Sequence, residues 1–185
     1  MLIDFSQGGL KLVFEVDEEK RVLLKHFSCK EQKEGLIKQG CAYAIGDIHV
    51  TGENQSNHHG GKHTGHSGER TLRYVSHRIL PREGGRTLEI LLTDGKMNVT
   101  CHYEAYHGIA AVRAWVTVEN ISKEEIGLEY VPAFTYTGLC EGLEFHLGAQ
   151  VVAAVAQYCT PYNLNLSTLV CILIVCHQQI GRAHV

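Results

Sequence analysis

The sequence predicts an all-β fold, an antiparallel β-sandwich. Short runs rich in β-branched and aromatic residues fill about the first 140 residues, and clusters of turn residues separate them. No segment shows a sustained helical period, and no internal repeat is present. With 185 residues, 44% hydrophobic and 20% charged, the chain is long enough for one domain with a sizeable core.

The predicted strands follow from this pattern in chain order. Asp94-Gly95 is the strongest hairpin signal, because this dipeptide favours a two-residue turn between antiparallel strands. In the strand that begins at Met97, odd-numbered apolar positions and even-numbered polar positions should face opposite sides of the sheet. The predicted strands span residues 10–16, 21–27, 44–51, 71–79, 86–93, 97–104, 109–119 and 126–137.

A long polar connection, residues 52–68, interrupts the strands. It contains no apolar residue, four histidines and five glycines, so it should lie on a surface or line a polar pocket. The histidines could in principle bind zinc, but no helix fixes their spacing, and we expect neither a metal nor a cofactor. Candidate ligand-binding residues are Glu53, Asn54, His58, His59, Lys62 and His63.

The net charge and the cysteine content indicate which partners and which cellular compartment to expect. A net charge of −3 gives no support for nucleic acid or an anionic membrane as a partner. The seven cysteines are odd in number and form no Cys-x-x-Cys pair, so we expect reduced thiols in the cytoplasm. The N-terminus lacks the pattern of a signal peptide, and the apolar run at residues 169–176 is too short to span a bilayer.

The sequence shows no recognisable group of catalytic residues, and we predict no catalytic residue. Cys101 and His102 are adjacent on a predicted strand, so their side chains should point to opposite faces. No Gly-x-Ser-x-Gly elbow occurs, and Glu53 has no evident partner for glycoside hydrolysis, so a loop hydrogen bond or an ion pair explains it better. Arg113 and Trp115 should share one face, where a structural ion pair is the simplest role for the arginine.

The C-terminal part, residues 141–185, differs in texture from the rest. Residues 143–176 are apolar and nearly uncharged, and the last seven residues, 179–185, resemble the translation of a common sequencing-library adapter. We therefore expect a domain over residues 1–140 followed by a truncated or out-of-frame tail, and exclude residues 145–185 from functional reasoning. A genuine hydrophobic C-terminal strand or helix is the alternative.

An ordered set of segments resembles the N-terminal domain of bacterial α-galactosidases of glycoside hydrolase family 36. The segments fall in the family's order and cover about residues 1–140. They are IHVTGENQ at 48–55, HHGGKHTG at 58–65, LRYVSH at 72–77, LEI at 88–90, VRAW at 112–115, VENI at 118–121 and LEYV at 128–131.

The resemblance implies a large β-sandwich, or supersandwich, that precedes a TIM barrel and a small C-terminal β-domain. It implies a retaining glycosidase for terminal α-galactosides such as melibiose and raffinose, with both catalytic aspartates in the barrel. The only tryptophan, Trp115, is not followed by Asp, so the Lys-Trp-Asp nucleophile motif of the family is absent from this chain.

The same resemblance implies a non-catalytic role for this chain. The family's sandwich supports the barrel and a homo-oligomer, and one of its loops can reach a neighbouring active site. The polar loop is the candidate for that contact, although it lacks the aromatic and proline residues common there. The alternative is a free-standing carbohydrate-binding or structural module.

Overall fold

The computed structural model of the chain describes residues 1–29, 44–46, 48–52, 72–134, 149–150, 166–168 and 173–174. These residues form strands and turns in two main antiparallel sheets, which confirms the predicted all-β sandwich. The strands are β1 (Leu2–Gln7), β2 (Leu10–Val16), β3 (Val22–Cys29), β4 (His49–Val50), β5 (Arg73–Arg82), β6 (Gly85–Thr93), β7 (Met97–Tyr106), β8 (Ile109–Asn120), β9 (Leu128–Tyr130), β10 (Ala149–Gln150), β11 (Leu166–Thr168) and β12 (Leu173–Ile174).

The first sheet has the order β1-β2-β3 and buries alternate side chains of β1 and β2. On β3 the alternation changes, because Leu24 and Phe27 are both buried although they are three residues apart. Lys25 has no partner in the register with β2, where Phe14 faces Leu24 and Val13 faces His26. This bulge returns Phe27 to the core face of the strand.

The second sheet has the order β11-β8-β7-β6-β5. The predicted Asp94-Gly95 turn joins β6 to β7, with Gly95 at a φ of 86°. The Asp94 carboxylate accepts hydrogen bonds from the backbone N–H groups of Lys96 at 2.8 Å and Met97 at 2.7 Å. Burial alternates along β7 as the sequence predicts, with the odd-numbered residues from Met97 onward on the core side.

The core lies between these two sheets, and aromatic side chains from both meet there. The rings of Phe14 on β2 and Tyr103 on β7 have centroids 4.8 Å apart, and both side chains are fully buried. Cys101 lies on the same face as Tyr103, and burial raises the pKa of its thiol to about 12. Its neighbour His102 points to the other face, as expected from their adjacency.

Within the described residues, two predicted strands are much shorter than the sequence suggested. In residues 44–51, Gly46 has a φ of 77°, so only an isolated bridge at Ala44 and the short β4 pair with other strands. In residues 126–137, the strand β9 ends before Pro132, which has no N–H to donate to a ladder. Among the described strands, β4 and β9 pair only with each other. The strand β1 was not predicted from the sequence.

β5 is an edge strand that remains solvated on both faces. Its residues from Val75 to Ile79 are all exposed, including Val75 at 48% and Ile79 at 40%. Val75 is the extra residue of a bulge, because Tyr74 faces Leu92 and Ser76 faces Leu91. The described residues contact the open edge at Tyr74, whose N–H donates to the Lys20 carbonyl at 2.8 Å.

The C-terminal strands are short. β11 pairs with β8 antiparallel, and β10 pairs with β12. The domain boundary expected near residue 140, and most of the segment expected to be an out-of-frame tail, lie outside the described residues.

Candidate functional site

The six candidate residues of the polar loop all lie outside the described part of the chain. They are Glu53, Asn54, His58, His59, Lys62 and His63, and their role stays a prediction. The described ends of that connection are the turn at Gly52, which has a φ of 84°, and the buried Leu72.

A polar row crosses the outer face of the five-stranded sheet, the face directed away from the core. The antiparallel register places Arg78 opposite Glu89, Glu89 opposite His102, and His102 opposite Trp115. Directly paired residues on one face lie close enough for their side chains to interact. The row therefore joins four chemically different groups on four adjacent strands.

Glu89 is the most deeply buried member of the row, with 8% of its surface exposed. Its Oε2 accepts a hydrogen bond from Arg78 Nε at 2.5 Å, and its Oε1 lies 3.4 Å from His102 Nδ1. The second pair is close enough for an ion pair, but its geometry leaves Nδ1 without a hydrogen bond. A buried carboxylate needs such partners, because an unpaired buried charge is costly.

His102 connects the row to its neighbours. Its Nε2 lies 3.1 Å from Thr117 Oγ1, and its ring stacks on Trp115 with centroids 4.7 Å apart. Burial lowers the pKa of His102, and the adjacent Glu89 carboxylate opposes that shift. A neutral imidazole is therefore favoured in the folded protein.

Thr117, His102 and Glu89 form a hydroxyl–imidazole–carboxylate series like that of a nucleophilic triad. However, Thr117 lies within β8, paired with Thr100 on one side and Ser167 on the other. Its backbone N–H is therefore used in a ladder and cannot stabilise an oxyanion. The series is better suited to holding the sheet face in one arrangement than to acyl transfer.

Arg113 and Trp115 share the outer face, as expected from the sequence. The Arg113 guanidinium carbon lies 5.1 Å from the centre of the indole ring, and its Nη1 lies 3.6 Å from Glu104 Oε2. The arginine thus combines a cation–π contact with an ion pair, which is the structural role predicted for it. Its Nε is buried and has no hydrogen-bond partner among the described residues.

A groove of about 330 Å³ opens beside Glu89 on this face. Sequence reasoning did not identify it, although one signal was present: Glu89 lies between Leu88 and Ile90, and a carboxylate inside an apolar strand is unusual. The groove is lined by Ser76, His77, Arg78, Glu89, Leu91 and Thr100.

Two further properties concern the described residues alone. No three histidine, cysteine, aspartate or glutamate side chains within them are grouped as metal ligands would be. Within the same residues, no helix reaches the length and apolar character required to cross a membrane.

Comparison with known proteins gives matches among solved structures. No protein-family model matches the sequence, and no curated protein matches it. The chain is similar to the GH36 α-galactosidase AgaA from Geobacillus stearothermophilus, with 15% identity and a TM-score of 0.48 over 69% of this chain and 23% of that one. A variant of AgaA solved in complex with raffinose gives 14% identity and a TM-score of 0.49 over the same shares.

The GH36 α-galactosidase AgaB from the same organism gives 14% identity and a TM-score of 0.48, over 80% of this chain and 28% of that one. These enzymes belong to the family that the ordered segments resemble. The chain spans between 23% and 28% of the lengths of these enzymes.

Proposed function

We propose that this chain is the N-terminal, non-catalytic domain of a retaining α-galactosidase that hydrolyses terminal α-galactosides such as melibiose and raffinose. The observation that carries the proposal is the ordered set of segments described above. Five of them lie wholly within the described residues and overlap strands: 72–77 overlaps β5, 88–90 lies on β6, 112–115 and 118–121 overlap β8, and 128–131 overlaps β9.

The chemistry of the described residues supports a non-catalytic role. Retaining glycosidases need two carboxyl groups about 5 Å apart on either side of the bond that is cleaved. The two half-buried or buried glutamates of the outer face, Glu89 and Glu104, are instead each bound to an arginine, Arg78 and Arg113. The parent protein would then supply both catalytic aspartates from its barrel.

In this proposal the polar loop offers a hydrogen-bonding surface to the mouth of that barrel, in the same or a neighbouring subunit of a homo-oligomer. The loop's amide, carboxylate, imidazole and ammonium groups are the kinds that bind sugar hydroxyls. We also propose a cytoplasmic location, which the free, buried thiol of Cys101 and the odd cysteine count support.

The reading frame of the genomic DNA beyond codon 140 tests the proposal directly. We expect it to continue into a barrel with a Lys-Trp-Asp motif, and the resulting protein to hydrolyse a nitrophenyl α-galactoside with retention. The 185-residue chain should show no turnover above a buffer blank. A frame that stops without a barrel would instead favour a free-standing carbohydrate-binding or structural module.

The role of the loop is tested in the full-length enzyme. Replacing His59 or Lys62 by Ala should raise KM or lower kcat/KM while thermal stability stays nearly unchanged. Lys123→Ala is the matched control, since Lys123 is exposed in the turn after β8. Wild-type kinetics in both loop variants would remove the loop from the active site.

A further inference from the structure

We propose that the groove beside Glu89, on the outer face of the five-stranded sheet, binds one ring of a neutral sugar. The groove has a volume of about 330 Å³. Pockets for small molecules range from about 300 to 1,000 Å³, so this one suits a single ring better than a longer oligosaccharide.

Unused hydrogen-bonding groups line the groove. Arg78 donates from Nε to Glu89, and its two terminal nitrogens make no hydrogen bond to the described residues. The hydroxyl groups of Ser76 and Thr100 also have no partner within the described part of the chain. A ligand can therefore find both donors and acceptors here without displacing an existing contact.

The charge of the groove favours a neutral ligand. The guanidinium of Arg78 and the carboxylate of Glu89 pair with each other, so their charges cancel. The imidazole of His77 is bonded through Nδ1 to the hydroxyl of Tyr74 at 2.7 Å. An anion would meet the Glu89 carboxylate and a cation would meet Arg78, whereas a sugar hydroxyl can both donate to the carboxylate and accept from the guanidinium.

The floor of the groove combines apolar and polar groups, as one face of a sugar ring does. Leu91 lies opposite Ser76 on β5 and opposite Thr100 on β7, so an aliphatic side chain separates two hydroxyl groups. The C–H face of a pyranose ring can cover Leu91 while its equatorial hydroxyl groups reach both neighbouring strands. Because Ser76, Leu91 and Thr100 are paired directly across β5, β6 and β7, little ordering is needed on binding.

The choice of probe, galactose, rests on the proposed function, while the groove itself does not. In the experiment, the 15N-labelled 185-residue chain is titrated with galactose and amide shifts are followed by NMR. For an open groove with few contacts we expect saturation with a Kd on the order of 1 mM. The shifting amides should be those of Ser76, Arg78, Glu89, Leu91 and Thr100.

Two arginines on the same face of β5 provide a matched pair of variants. Arg78→Gln should weaken galactose binding by about tenfold, because it removes charged donors to the sugar. Arg82→Gln removes the same charge from the same strand outside the groove and should bind galactose as the unaltered chain does. If Arg78→Gln does not fold, the double variant Ser76→Ala with Thr100→Val takes its place.

Several outcomes overturn the proposal: no saturable shift at the groove amides, equal loss of binding in Arg78→Gln and Arg82→Gln, or equal shifts with the acyclic polyol sorbitol. Hydrolysis by the full-length protein is a separate measurement. If this chain binds galactose but no barrel follows it in the reading frame, the proposed function is refuted and the sugar site stands. If the full-length protein hydrolyses α-galactosides but galactose shifts no groove amide, the sugar site is refuted and the proposed function stands.

Discussion

The imidazole of His102 lies flat against the indole of Trp115, with ring planes 3° apart and centroids separated by 4.7 Å. The two residues are direct partners in the register of β7 and β8. Stacking on the indole buries the imidazole, and burial disfavours its charged form. The neighbouring carboxylate of Glu89 favours the charged form, so burial and this carboxylate shift the pKa of His102 in opposite directions.

The first prediction concerns pH. The pKa of His102 in the folded protein is lowered from its ordinary value near 6.5, mainly by burial, with Arg78 and Arg82 lowering it further against the effect of Glu89. The unfolded chain therefore binds more protons below about pH 6.5, and the free energy of unfolding should decrease as the pH falls from there toward the folded-state pKa. Urea unfolding measured at about pH 7.5 and about pH 5 checks this sign.

A titration of the His102 ring by NMR isolates this residue from the others. Its midpoint should lie below 6.5, and a midpoint above that value would contradict the prediction. His26 also has a lowered pKa, from burial and from Lys11, so His102→Gln should reduce the pH dependence only in part. His77→Gln, at an exposed position of β5, is the control variant.

The second prediction compares two threonines of β6. The hydroxyl of Thr87 is fully buried and has no hydrogen-bond partner among the described residues, whereas that of Thr93 donates to the Met97 carbonyl and accepts from the Gly95 N–H. Thr87→Val should leave stability unchanged or raise it by about 1 kcal/mol, and Thr93→Val should lower it by about 1 kcal/mol. Chemical denaturation measures both, and an equal loss in the two variants would show that Thr87 has a partner.

The third prediction compares the adjacent glycines of the β5–β6 turn. Gly84 has a φ of 80° and open space around it, so Gly84→Ala should cost about 1 kcal/mol of backbone strain. A Cβ on Gly85 would fall on the carbonyl oxygen of Ala105, which belongs to the neighbouring strand and cannot move alone. Gly85→Ala should cost on the order of 3 kcal/mol. Thermal unfolding of both variants gives the comparison, and the reverse order would refute it.

The fourth prediction concerns thiol reactivity. Cys101 is fully buried and its pKa is raised to about 12, so almost no thiolate exists at neutral pH. Iodoacetamide should leave Cys101 unmodified in the folded chain and alkylate it in denaturant. Mass spectrometry of the peptide that contains Cys101 measures the extent of alkylation with and without denaturant. Rapid alkylation without denaturant would contradict the burial of the thiol.

Local patterns predicted much of the fold and little of the candidate site. The strand at 10–16 and the turn at Asp94-Gly95 were visible because alternation and turn chemistry are local. The row through Glu89 depends on pairing across four strands, and a bulge at Val75 shifts that pairing by one residue. Sequence spacing does not reveal such a shift, so the partners of Glu89 became known only from the structure.

The open edge of β5 has a consequence for concentrated solutions of this protein. An exposed strand with apolar residues is ordinarily a template on which further copies add and grow into fibrils. Here the bulge at Val75 and the missing N–H of Pro81 leave only residues 76–80 free to pair with a strand of a second molecule. Such pairing would also bring Arg78 and Arg82 of one copy close to the same positively charged residues of the other. We therefore expect the strand to resist polymerisation although its residues 75–79 are exposed to water.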